Sequence, residues 1–195
     1  MSEFQYYEFR TVDRPLTQQE IEEVRKLSSR ASVTKNRAVF TYNFGDFRGN
    51  SDEVLAKYFD AFLYTSNFGT KQLGFRLPTR LFKAQNLSPY EYEYVVEIEP
   101  YPDYTTVTLH FDDDEGGGWI DEEDCATLLE ELLPLRQDLL LGDPRALYIA
   151  LLANQDRLEI ETYIKSLPVP SNLKHLTPAL QDFVEFFELD PALLK

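Results

Sequence analysis

The sequence predicts an α+β protein, with a mainly antiparallel sheet and two helices in the first half and an all-helical second half packed on that sheet. Three observations carry this. Apolar and polar residues alternate at period two in several short segments up to Phe111 and not beyond it. After Phe111 the pattern becomes leucine-rich at helical spacing and is punctuated by proline. The charge divides near the same place: residues 1–99 hold 14 acids and 13 bases, whereas residues 100–195 hold 20 acids and 6 bases. The expected division is an α+β part over 1–112, with a ferredoxin-like arrangement as one candidate, and a helical part over 113–195.

The run from Phe4 to Thr11 is aromatic and β-prone, and Asp13-Arg14-Pro15 ends it. Thr17 with Glu20 three residues later is a capping box, and Leu16 with Ile21 forms a hydrophobic staple. A helix with Ile21, Val24 and Leu27 inward follows. Phe40, Tyr42 and Phe44 alternate with Thr41 and Asn43, the period of a half-exposed strand that stops at Gly45. Ser51 reads as the cap of a second helix, with Asp52 and Glu53 against its dipole and Val54, Leu55, Tyr58, Phe59 and Phe62 as its core face. Asn67-Phe68-Gly69 is a turn into a strand carrying Leu73, Phe75 and Leu77, closed by Pro78. Tyr92/Tyr94/Val96/Ile98 and Val107/Leu109/Phe111 then read as an antiparallel hairpin.

Beyond that point Leu128, Leu129, Leu132 and Leu133 are helical, and Pro134 breaks that helix or starts another. Gly142 is a stop signal followed at once by Asp143-Pro144, and Thr177-Pro178 and Asp190-Pro191 repeat the pairing of cap and first-turn proline. The last pair opens a helix with little chain left, so the sequence is expected to continue in a longer protein.

The stretch Asp112–Asp124 concentrates the acidic excess and surrounds Trp119. Tryptophan amid carboxylates suits a basic protein partner, with Asp112, Asp113, Asp114, Trp119, Glu122 and Glu123 as contact residues. Set on a calcium loop, Asp112, Asp114 and Glu123 take the first, third and twelfth positions and Gly117 the sixth. Against that, Gly116 offers no side-chain oxygen at the fifth position, and a strand rather than a helix leads in. Asp121 to Asp124 also simply complement a helix N-terminus.

No acid lies between Val24 and Gly45, while Arg25, Lys26, Arg30, Lys35 and Arg37 accumulate among aromatic residues, a composition that suits single-stranded nucleic acid. A net charge of −15 opposes such a ligand and an anionic membrane alike. Gly45–Asn50 could present backbone N–H groups to an anion, although a turn and a helix cap account for it. His110 and His175 are too far apart in sequence for a metal motif, Cys125 is alone, and no nucleophile elbow, phosphate loop or dinucleotide fingerprint occurs. No cofactor is expected, and the balance leans away from an enzyme. Apolar runs are short and the N-terminus lacks a basic region before an apolar stretch, so neither a membrane span nor a secretory leader is predicted and a cytoplasmic setting follows.

The segments Phe4–Phe9, Asp13–Thr17, Gly45–Phe47, Tyr58–Tyr64, Arg76–Pro78 and Gly142–Tyr148 together resemble a family of uncharacterised bacterial cytoplasmic proteins. Phe44 and Phe68 stand where that family has tryptophan, a ring-for-ring change that points to packing. The resemblance implies a stable fold and carries no activity, cofactor or site residue. The function expected is a protein-interaction or adaptor module using the acidic surface. The alternatives are an enzyme or ligand-binding domain with a pocket between the halves, and nucleic-acid binding through the basic first half.

Overall fold

A computed structural model describes residues 3–82, 87–113 and 120–194. Seven strands and eight α-helices are present among them, five strand pairings are antiparallel, and helices dominate the later part of the chain. The chain divides into two compact units, residues 1–76 with 112–129 and residues 77–111 with 130–195.

In the first unit β1 (Gln5–Arg10) pairs with β3 (Arg37–Tyr42) on one side and β4 (Ala61–Ser66) on the other. The short β2 (Ala31–Val33) adds to β3, and β5 (Thr70–Pro78) adds to β4, giving the order β2-β3-β1-β4-β5. Helix α1 (Gln18–Arg25) connects β1 to β2, and α2 (Ser51–Tyr58) connects β3 to β4. The capping box at Thr17 forms as the sequence predicts, with Glu20 N–H donating to Thr17 Oγ1 and Thr17 N–H donating to Glu20 Oε2. Phe9 is the centre of the apolar core, its ring 4.6 Å from Phe62, 5.4 Å from Phe59 and 5.9 Å from Phe40. Full burial of one such side chain contributes about 2–3 kcal/mol.

Three local expectations of the first unit are corrected. The cap of α2 is Asn50, whose Oδ1 accepts from Asp52 and Glu53 N–H, and Ser51 is the first helical residue. Helix α2 does not continue to Phe62: Phe59 is already extended and Phe62 lies on β4. Every residue of β4 is buried, so its unbroken apolar run imitates a helix in sequence. β3 ends at Tyr42, and Phe44 is 70% exposed instead of facing the core. Strand β2 has too few residues to show a period.

The second unit contains the hairpin of β6 (Val96–Pro100) and β7 (Tyr104–Asp112), in register Val96↔Leu109 and Ile98↔Val107. Tyr92 and Tyr94 precede β6 instead of belonging to it, and Tyr94 takes a left-handed φ of 61° with its ring exposed. After α3 (Glu122–Cys125), which belongs to the first unit, and α4 (Leu128–Leu132), Pro134 begins α5 (Pro134–Leu140). Helix α6 (Arg145–Ala153) is buried on all sides from Ala146 to Leu152, and α7 (Leu158–Ile164) and α8 (Pro178–Phe186) follow. An all-apolar helix is a core helix. Its end is tied down by Asn154, which is buried and donates from Nδ2 to His110 O at 3.0 Å and Ala150 O at 2.9 Å. The fold of Asp190-Pro191 is a short 3₁₀ turn over Pro191–Leu194. No described helix is long and apolar enough to cross a membrane.

Candidate functional site

Charge in the first unit is handled in three ways, and each assigns a different role to the residues concerned. The first is burial with full compensation. Glu8 has no exposure, and its carboxylate accepts from Tyr6 OH at 2.6 Å, Arg10 Nε at 2.7 Å and Arg37 Nε at 2.7 Å. Asp60 is equally buried and accepts from Arg76 Nη2 at 2.8 Å and from the Val12 and Asp13 N–H groups at 2.7 and 2.9 Å. Burial and the Glu8 hydrogen bond raise the Tyr6 phenol, while the bond to Glu8 raises Arg37. Both centres are fully engaged and act as structural cross-links, not as reactive groups.

The second is the acidic edge. Asp121 caps α3, accepting from Glu123 and Asp124 N–H, while Asp124 Oδ2 accepts from Asp121 N–H. The box consumes these two carboxylates. Glu122 and Glu123 remain exposed, and among the described residues Glu122 Oε2 accepts only from Thr41 Oγ1, at 3.2 Å. Among the described residues no cation ion-pairs with Asp121, Glu122, Glu123 or Asp124. Asp112 ends β7 and is exposed, and Asp113 is half-buried with its N–H on Gly69 O. Asp114 and Trp119 lie outside the described residues. The calcium set Asp112, Asp114 and Glu123 therefore includes one member that is not described, and among the described residues no group of three or more His, Cys, Asp or Glu could hold a metal. Cys125 faces inward; burial first, then Asp124 and Asp121, push its thiol up to about 12, so it stays protonated at neutral pH.

The third is a set of cations that bond no carboxylate among the described residues. The five basic candidates do not form one surface. Arg37 is spent on Glu8, Arg25 Nη2 donates to Val33 O at 3.1 Å, and Lys35 sits in the turn between β2 and β3. Lys26 and Arg30 instead line a cleft of about 510 Å³ together with Arg48. Arg30 lies over the Tyr42 ring, 5.4 Å from its centroid. Phe44 stands at the rim of this cleft and also lines a neighbouring hollow that includes Arg30, Thr41 and Glu122.

Sequence spacing missed Arg48 and the exposure of Phe44. The signal was local: Gly45 takes a left-handed φ of 77°, which turns the chain sharply after Phe44 and breaks the strand alternation. His110 Nε2 is 3.2 Å from Glu97 Oε2 on the neighbouring strand, and the His175 carbonyl accepts from Arg145 Nη1. Neither histidine belongs to a group of three or more possible metal ligands among the described residues. No protein-family profile, curated protein or solved structure matches this chain.

Proposed function

We propose that the chain is a protein-interaction module that receives a basic partner on the acidic edge formed by α3 and the residues leading into it. The supporting observation is that Glu122 and Glu123 are exposed, adjacent and without an ion-pair partner among the described residues, beside two further carboxylates that only cap the helix. Four like charges within one helical turn repel one another, and a cationic partner relieves that repulsion on binding. Asp112 and Asp113 extend the same acidic stretch, and Asp114 and Trp119 belong to the proposal through the sequence alone. The helices and sheet are the scaffold that holds this edge, and a cytoplasmic setting and membership of the resembled bacterial family are part of the same proposal. The connectivity β1-α1-β2-β3-α2-β4 in the order β2-β3-β1-β4 supports a ferredoxin-like arrangement for the first unit.

The test is affinity capture with the purified chain beside a Glu122→Gln/Glu123→Gln variant, which leaves the Asp121–Asp124 capping box intact. A partner bound at low salt by the wild type, lost from the variant and released as salt rises through about 0.1–0.5 M would support the proposal, because screening shortens the reach of exposed charges. Equal recovery of the same partner by both proteins would overturn it.

A further inference from the structure

We propose that the cleft between the end of α1 and the loop after β3 binds the phosphate group of a nucleoside monophosphate, with Phe44 as the stacking surface for its base. Three observations lead there. The first is the distribution of cations. In a chain with 34 acids and 19 bases, Arg10, Arg14, Arg37, Arg76 and Arg145 each bond a carboxylate. Lys26, Arg30 and Arg48 bond none among the described residues, and all three line this one cleft. Its one acid, Asp46, is engaged through Oδ1 by Gln5 Nε2 at 2.9 Å, which leaves two positive charges in excess. Lys26 by itself is explained as a complement to the C-terminal dipole of α1, but that dipole amounts to about half a charge and does not account for Arg30 and Arg48.

The second observation is a hydroxyl pair in the cleft that keeps one hydrogen available to a ligand. Tyr42 OH donates to Ser28 Oγ at 2.8 Å, and Arg30 N–H donates to the same oxygen at 3.1 Å. Ser28 thus accepts twice, and its own hydrogen has no acceptor among the described residues. If the Ser28–Tyr42 bond ran the other way, the leftover hydrogen would be that of Tyr42. Both residues line the cleft, so either arrangement provides one neutral donor beside the cations. Guanidinium, ammonium and hydroxyl donors lining one cleft, with a single carboxylate already engaged by Gln5, complement a phosphate.

The third is preorganisation. Arg48 sits between two fixed neighbours: Phe47 is buried against Tyr7 and Phe40, with ring centroids 5.4 and 5.0 Å away, and Gly49 lies so close beneath the Phe47 ring that an added Cβ would meet it at 2.6 Å. Arg30 is held over the Tyr42 ring. Less backbone ordering is then needed when an anion arrives. Phe44, 70% exposed at the rim, favours a ligand that carries a flat ring beside its phosphate. The volume of about 510 Å³ falls in the range of small-molecule sites, about 300–1,000 Å³.

The experiment is isothermal titration of the purified chain, at constant ionic strength, with adenosine monophosphate, inorganic phosphate, adenosine and a phosphoserine peptide. Adenosine monophosphate is expected to bind more tightly than inorganic phosphate, and adenosine not to bind. Arg48→Gln should weaken the nucleotide by about tenfold or more, the loss of one charge-assisted contact. Phe44→Ala should bring the nucleotide close to the affinity of inorganic phosphate. Lys26, Phe44 and Arg48 are exposed, and unchanged melting curves without ligand will show that the variants fold. The proposal is overturned by absence of nucleotide binding, by undiminished binding to Arg48→Gln, or by a phosphoserine peptide that binds where the nucleotide does not. No partner protein enters the assay, so its outcome is independent of the acidic edge.

Discussion

Glu8 and Glu122 are both glutamates of the first unit, and the fold treats them in opposite ways. Glu8 is fully buried on the central strand β1, where Tyr6, Arg10 and Arg37 occupy its oxygens. Glu122 is exposed on a four-residue helix and touches only a threonine hydroxyl among the described residues. A carboxylate cannot be buried without compensation, so the interior fixes both its position and its partners. At the surface, water screens the charge and no internal partner is required. Charge that is bonded internally is therefore structural, and charge left unpaired at the surface is what remains for binding.

The sharpest way to break this contrast is Glu8→Gln, which removes the buried charge that Arg10 and Arg37 bond. A loss of about 3 kcal/mol is expected in urea denaturation, at the low end of the range for disrupted buried pairs because Arg37 is 36% exposed. A loss below about 1 kcal/mol would show that the cluster is incidental. Asp60→Asn should cost about 2 kcal/mol in the same measurement, since it removes the charge that Arg76 and two backbone N–H groups bond. No change would remove Asp60 from the structural class.

Acid titration probes an intermediate case. The Arg14 guanidinium chiefly holds Glu20 down at about 2, and the Tyr58 hydroxyl, with Gln19 and Lys57, holds Glu23 there as well. A carboxylate depressed in the folded state contributes stability above its ordinary value of 4.5 and loses it as pH falls toward 2. Stability should therefore decline through that window, and Glu20→Gln should flatten the decline; an identical pH profile for the variant would refute the assignment. The smallest effect belongs to the acidic edge. Glu122→Gln/Glu123→Gln should change stability by no more than about 0.5 kcal/mol, and a clear destabilisation would mean that the edge has an internal role after all.

How much of this was legible in the sequence depends on the distance over which each feature is decided. The Thr17–Glu20 box, the Gly142 stop and the antiparallel hairpin that contains Val96 and Leu109 depend on near neighbours and form as the sequence predicts. The β4 strand was hidden because both its faces are buried, and an apolar run without alternation does not distinguish strand from helix. The burial of Glu8 was invisible because Arg37, its main partner, lies 29 positions away. Of the site residues, Glu122 and Glu123 were legible as exposed acids at a helix start. The cleft was legible only in Lys26 and Arg30, since Arg48 joins them through the turn at Gly45 and the packing of Phe47.

Strand β2 has a consequence for how copies of this chain behave in a crowded solution. It lies at one end of the first unit's sheet, where an open row of peptide groups invites strand addition by another molecule. With only Ala31–Val33 in the ladder, and Arg30 and Lys35 on either side, it offers a foreign strand a short grip and a charged approach. The margin of the sheet thus resists fibril growth by geometry, leaving neighbouring surfaces free to stay polar and sparsely paired.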